Sequence, residues 1–143
     1  MEVMTRDEAR QLIEAMKESV RTETFVWLND TAQNEKFIEV GNAASGFVLH
    51  LKRNPFEIRL HFRSLQHHVD LMRIDSAPRH INPDGTEIVR QPHLHVFREG
   101  YERLPWAEPI DWMDLANPVA TLERFLAEIH ARFSGGITLG LDL

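Results

Sequence analysis

The sequence predicts an α+β fold: an antiparallel sheet of about four to six strands, with an N-terminal and a C-terminal helix packed on one face. Three observations predict it. Apolar residues recur at helical spacing near each end of the chain. From Gly46 to Phe97 the period drops to two. Pro- and Gly-containing turn signals divide that middle stretch.

Taken in order, Thr5 to Val20 reads as the first helix. Thr5 and Glu8 have capping-box spacing, and Ala9, Leu12, Ile13, Met16 and Val20 form one apolar stripe. Glu23 to Val40 fits neither period cleanly. Phe47, Leu49 and Leu51 then alternate with Val48, His50 and Lys52. After the Asn54-Pro55 turn, Phe56, Ile58, Leu60 and Phe62 alternate with Glu57, Arg59, His61 and Arg63, so residues 47–62 read as a hairpin. Further strands are expected at Val69–Asp75, at Thr86–Val89 after the Asn82-Pro83-Asp84-Gly85 turn, and at His93–Phe97. Glu99–Asn117 reads as irregular. Asn117 then caps a final helix with Pro118 at its first position, where the missing N–H costs nothing. Leu122, Phe125, Leu126, Ile129 and Phe133 form its stripe, Gly135-Gly136 ends it, and the tail ITLGLDL offers an edge strand.

The 143 residues fit a single domain, residues 1–143, and 43% hydrophobic content suffices for a core. Without cysteine, disulfides and thiolate metal sites are excluded. No apolar run approaches the ~20 residues of a membrane span, and the polar start MEVMTRDEAR lacks a signal-peptide core. A cytoplasmic protein without a membrane partner is the expectation. The net charge of −6 is unevenly spread. Residues 1–49 carry five basic and nine acidic side chains, residues 50–103 nine and seven, and residues 104–143 two and six. The centre also holds seven of the eight histidines, so it is the part able to attract phosphate.

Parity sorts the central residues by face. Arg59, His61 and Arg63 point away from Ile58, Leu60 and Phe62, and His93 and His95 point away from Leu94 and Val96. Arg73 and Asp75 share a parity with Val69 and Leu71, so a bulge decides which way that strand presents them. His80 lies in the following loop, in reach of the same face. Three chemistries suit such a set. The histidines can serve as acid and base on a phosphodiester, with Asp75 orienting one ring and Arg73 clamping the phosphate. His93, His95 and Asp75 can hold a divalent metal. The set can also be a plain solvated sheet face with Arg–Asp pairs.

Arg73-Ile-Asp75, Pro78-Arg-His80, Asn82-Pro83-Asp84-Gly85 and Pro92-His93-Leu-His95-Val-Phe97-Arg-Glu99-Gly100-Tyr101, followed by Trp106-Ala107, resemble a group of small uncharacterised phage and mobile-element proteins. Part of the pattern is similar to TumE-type toxins of toxin–antitoxin pairs, which share an Arg-x-Asp, a Pro-His step and a His-x-His. Here that step is one residue longer, Pro78-Arg79-His80. The resemblance spans about residues 55–115 and implies a ribonuclease site at Asp75, His80, His93 and His95.

The expectation is therefore a metal-independent endoribonuclease with no cofactor. Arg73, Asp75, His80, His93 and His95 are its catalytic residues, and RNA or a nucleotide, with an antitoxin, its partners. The alternative is a non-enzymatic phage effector that binds a host defence complex through its acidic ends.

Overall fold

The computed structural model describes residues 3–140. Among them the chain is mostly β, which corrects the α+β expectation. The helices are short: α1 (Arg6–Glu14) and α2 (Pro118–Glu128). The strands before α2 are β1 (Lys17–Ser19), β2 (Phe25–Trp27), β3 (Gln33–Glu39), β4 (Asn42–Asn54), β5 (Glu57–Ser64), β6 (Val69–Asp75), β7 (Arg79–Ile81), β8 (Glu87–Val89), β9 (His93–Val96) and β10 (Ala107–Pro109). After it come β11 (Ala131–Arg132) and β12 (Ile137–Leu139). Residues 141–143 of the tail lie outside the described residues.

One sheet of eight strands runs in the order β10-β9-β6-β5-β4-β3-β1-β11. It is mixed rather than antiparallel throughout, because β1 pairs with β11 in parallel. Two small pairs stand outside it: parallel β2–β12 and the hairpin β7–β8.

The larger strand count has an identifiable cause. The capping box forms as expected, with Glu8 N–H donating to Thr5 Oγ1 (3.1 Å) and Thr5 N–H to Glu8 Oε1 (3.2 Å). The helix nevertheless stops at Glu14, and Met16 and Val20 are 70% and 54% exposed. Pairing of Lys17–Ser19 with both β3 and β11 overrides the helical spacing there. Strand β3 lacks a visible apolar period because Gln33 and Glu35 occupy two of its core-side positions. Gln33 bonds the backbone of Val26 and Leu28, and Glu35 pairs with Arg21.

The core lies on one face of the large sheet. Phe37, Phe47, Leu49, Leu51, Ile58, Leu60 and Phe62 are buried there with Trp27 and Phe25. From α2, Leu122, Phe125, Leu126 and Ile129 join the cluster, whereas α1 buries only Ala9 fully. The α2 cap matches its sequence signature, Asn117 Oδ1 accepting from Ala120 N–H at 3.2 Å. Lys17 crosses the core beneath the two helices. Its ammonium donates to the carbonyls of Ile13, Ala15 and Ile129 at 2.7–2.8 Å and lies over the rings of Phe47 and Phe62. The opposite face of the sheet carries the polar parity set and positions the site.

Candidate functional site

The bulge that the sequence left open exists. Phe62 pairs with Met72 and Arg63 with Asp70, so Leu71 is the extra residue. It turns Met72 and Ile74 toward the core and Arg73 and Asp75 toward the polar face. Strand β9 then pairs with β6 so that Arg73 faces His95 and Asp75 faces His93. Four of the five expected site residues are thus cross-strand neighbours by register alone.

The fifth, His80, arrives on the β7–β8 hairpin. Its ring lies 5.2 Å from that of His93 and 4.8 Å from that of His95, which are 4.9 Å from each other. One ligand atom from each of the three rings falls within 4.8 Å of the others.

Each ring has one nitrogen committed to a backbone carbonyl. His93 Nδ1 donates to Gln91 O (3.1 Å), His95 Nδ1 to Leu104 O (2.7 Å) and His80 Nε2 to Pro105 O (2.8 Å). A carbonyl oxygen only accepts, so these contacts place the hydrogens and leave the second nitrogen of each ring unclaimed by backbone. The Leu104 carbonyl is delivered at a cost. Arg103 and Leu104 both have left-handed backbone, φ +63° and +53°. Such conformations cost non-glycine residues on the order of 1 kcal/mol or more each.

Asp75 completes the cluster. Its Oδ1 lies 2.7 Å from His93 Nε2, and its Oδ2 lies 3.4 Å from His95 Nε2 and 3.3 Å from Arg73 Nε. The His93 contact is close but off the line of a hydrogen bond, so His93 Nε2 is a buried nitrogen without an aligned partner. Arg73 Nη2 lies 3.2 and 3.4 Å from the two ring nitrogens of His95. Because His95 Nδ1 already donates to Leu104, the guanidinium rests against the ring rather than donating to that nitrogen. Burial on its own would raise the Asp75 carboxyl. The contact with His95, the Ala77 amide and the charges of both histidines outweigh it and hold the group well below the usual carboxylate range.

The polar face is not an open one at this end. His93 and His95 are each 1% exposed, while the side chains of Asp75 and Arg73 keep 20% and 30%. The cover is the β7–β8 hairpin and residues 104–107, joined by Asn82. Its Nδ2 donates to Ala107 O (3.0 Å) and its Oδ1 accepts from Ala107 N–H (2.8 Å) and contacts His80 Nε2 (3.0 Å). Sequence reasoning saw Asn82 only as a turn residue. The three carbonyl acceptors have no side-chain signature at all.

Further along the same face, His61 Nε2 and Arg63 Nε lie 3.1 and 3.4 Å from Asp70 Oδ1. Burial pushes His61 below the ordinary imidazole value; Asp70 pulls it back, while Arg73 and His50 add to the depression.

Over residues 4–131 the sequence matches a family of unknown function (DUF6978). The chain belongs to that family. The match takes in everything from α1 into β11, so the residues from Arg73 to Ala107 lie inside it. No curated protein and no solved structure matches this DUF6978 chain. Among its described residues no helix is long and apolar enough to cross a membrane.

Proposed function

We propose that the protein binds one divalent transition-metal ion through His80, His93 and His95, with Asp75 beside it. The observation that carries this reading is the commitment of one nitrogen per ring to a backbone carbonyl. Metal-ligating histidines characteristically donate their other N–H to a carbonyl or carboxylate, which fixes ring orientation and tautomer. Imidazole suits zinc, nickel, copper and iron, and a three-histidine zinc site keeps a position open for water or substrate. Ligand nitrogens around zinc stand ~3.3 Å apart, given bonds of about 2.0–2.1 Å, so the three rings, with ligand atoms within 4.8 Å, would have to close inward to hold it. Bound there, it supplies Lewis-acid chemistry of the kind used on esters and phosphate esters.

This reading replaces proton shuttling by the same histidines. At 1% exposure, His93 and His95 reach a polynucleotide only if the hairpin lifts away. As metal ligands they act from where they are. An ion held by His80, His93 and His95 would supply the chemistry of an RNA-directed role for a phage or toxin-like protein, with Arg73 at the rim as anion clamp. The alternative, an effector that meets a host complex through its acidic ends, expects ligand substitutions to leave its binding intact.

Elemental analysis and titration of the metal-free protein with Zn²⁺ and Co²⁺ test the proposal. One ion per chain is expected. His93→Ala and His95→Ala should abolish binding, and His80→Ala should weaken it at least tenfold. Affinity no better than millimolar, or stoichiometry unchanged in all three variants, overturns it.

A further inference from the structure

Beyond the histidine cluster, the polar face presents an ordered row. Asn34 on β3 pairs with His50 on β4, His50 with His61 on β5, His61 with Arg73 on β6, and Arg73 with His95 on β9. These five residues therefore line up across five neighbouring strands. With strands about 4.8 Å apart, His50 stands ~14 Å from His95 along the row. Flanking it on the same face are Lys52 and Arg59, register partners of each other, and Arg63. Their side chains are 37%, 57% and 35% exposed.

Acidic groups also touch this face. Asp70 contacts His61 and Arg63, Glu57 pairs with Arg59, and Asp30 lies 3.9 Å from Lys52. Arg59 spends its Nε and Nη2 on the two oxygens of Glu57, but the other two arginines keep donors. Arg63 meets Asp70 through Nε, and Arg73 meets Asp75 through Nε, leaving terminal N–H groups on both guanidiniums. Arg73 is the link between the row and the cluster: it lies against His95, contacts Asp75, and is 30% exposed.

We infer that the outside ligand of this site is a phosphate ester, whose oxyanion is received by Arg73 at the partly exposed edge of the histidine cluster and whose chain continues toward Arg63. The inference rests on the metal reading. A guanidinium fork matches phosphate geometry, and phosphate oxygens are ligands for a transition metal and acceptors for Arg at once. Arg63, beside the row on β5, adds a second fixed cation to Arg73, which favours a phosphodiester chain over a lone anion, since successive cations serve successive phosphates.

The experiment uses full-length protein whose metal content has first been measured. Inorganic phosphate and a short single-stranded RNA are titrated into metal-loaded and metal-free protein. Phosphate should bind the loaded form at least tenfold more tightly than the free form. Arg73→Gln, which keeps bulk against His95, should remove that gain while leaving metal stoichiometry at one. Arg63→Ala should weaken RNA binding about fivefold and leave phosphate binding unchanged. If RNA and phosphate bind equally and Arg63→Ala changes neither, the site takes a phosphate monoester, and the extended row is refuted. A fully metal-loaded protein that binds neither ligand, or binds both regardless of Arg73, overturns the inference while the metal site stands. Zero metal content ends both.

Discussion

Asn82 and Ala107 pair as two strand residues would, except that one side supplies an amide side chain in place of backbone. The two bonds, 2.8 and 3.0 Å, dock the β7–β8 hairpin on the strand at the edge of the sheet. Asn82 is 7% exposed and Ala107 half-buried, so water replaces these bonds only in part. Asn82→Ala should lower unfolding free energy by about 2 kcal/mol, as expected for stranding half-buried backbone groups. It should also weaken metal binding at least tenfold by releasing His80. Urea denaturation and metal titration of the same variant check both.

Asp75 makes the cluster acid-sensitive in a definite direction. Its carboxyl ionises well below the usual range when folded, so the unfolded chain takes up its proton first as pH falls. The stabilisation is complete above the unfolded carboxyl value, near ~3.9, and drains away as pH drops toward the folded one. Wild-type stability should therefore fall steeply from about pH 5 downward. Asp75→Asn should flatten that slope and cost about 3 kcal/mol at pH 7, because the Arg73 guanidinium and the Ala77 amide lose the partly buried carboxylate they contact. Chemical denaturation across pH 3–7 measures both effects.

Lys17 gives a slope of the same sign in a different pH window. Burial pushes its amine down to about 7, against a partial upward pull from Glu39. Between that value and the ordinary 10.5 the unfolded chain holds the proton that the folded chain has lost. Stability should rise with pH across this window. Lys17→Met should remove the rise, and at pH 6 it leaves the carbonyls of Ile13, Ala15 and Ile129 without their shared donor. Melting temperature against pH for both proteins is the measurement; a wild-type curve flat from pH 7 to 10 contradicts it.

The left-handed pair at Arg103 and Leu104 offers a gain instead of a loss. Arg103 is exposed, with φ +63°, a conformation glycine adopts without penalty. Arg103→Gly should raise unfolding free energy by about 0.5–1 kcal/mol, the relief of strain exceeding the added freedom of the unfolded chain. The same change at Leu104 should destabilise, because that side chain is 1% exposed. Paired denaturation curves separate the two.

How far the sequence reaches is visible in particular residues. The β4–β5 hairpin was legible because apolar alternation and Asn54-Pro55 agree, and Asn54 Oδ1 does accept from Phe56 and Glu57 N–H. Convergence of Arg73, Asp75, His93 and His95 was legible from parity plus one bulge. The burial of that set was not. It depends on Asn82 reaching a backbone 25 residues away, and nothing local to Asn-Pro-Asp-Gly announces such a contact. The N-terminal segment failed differently. Met16 and Val20 have helical spacing, but the strand edges offered by β3 and β11 outcompete one more helical turn. Strand β10, Ala-Glu-Pro, has no pattern to read and exists because β9 needs a neighbour.

The parallel seam between β1 and β11 pairs Lys17 with Ala131. During synthesis the meander from β3 through β6 can zip as it leaves the ribosome, each strand meeting the one just made. The outer flank of β1 has no such neighbour to hand. It stays open until residue 132 has been translated, and the ammonium of Lys17 waits as long for Ile129. A nascent chain halted before that point carries an unsealed edge, and stalled intermediates of this protein should recruit chaperones there.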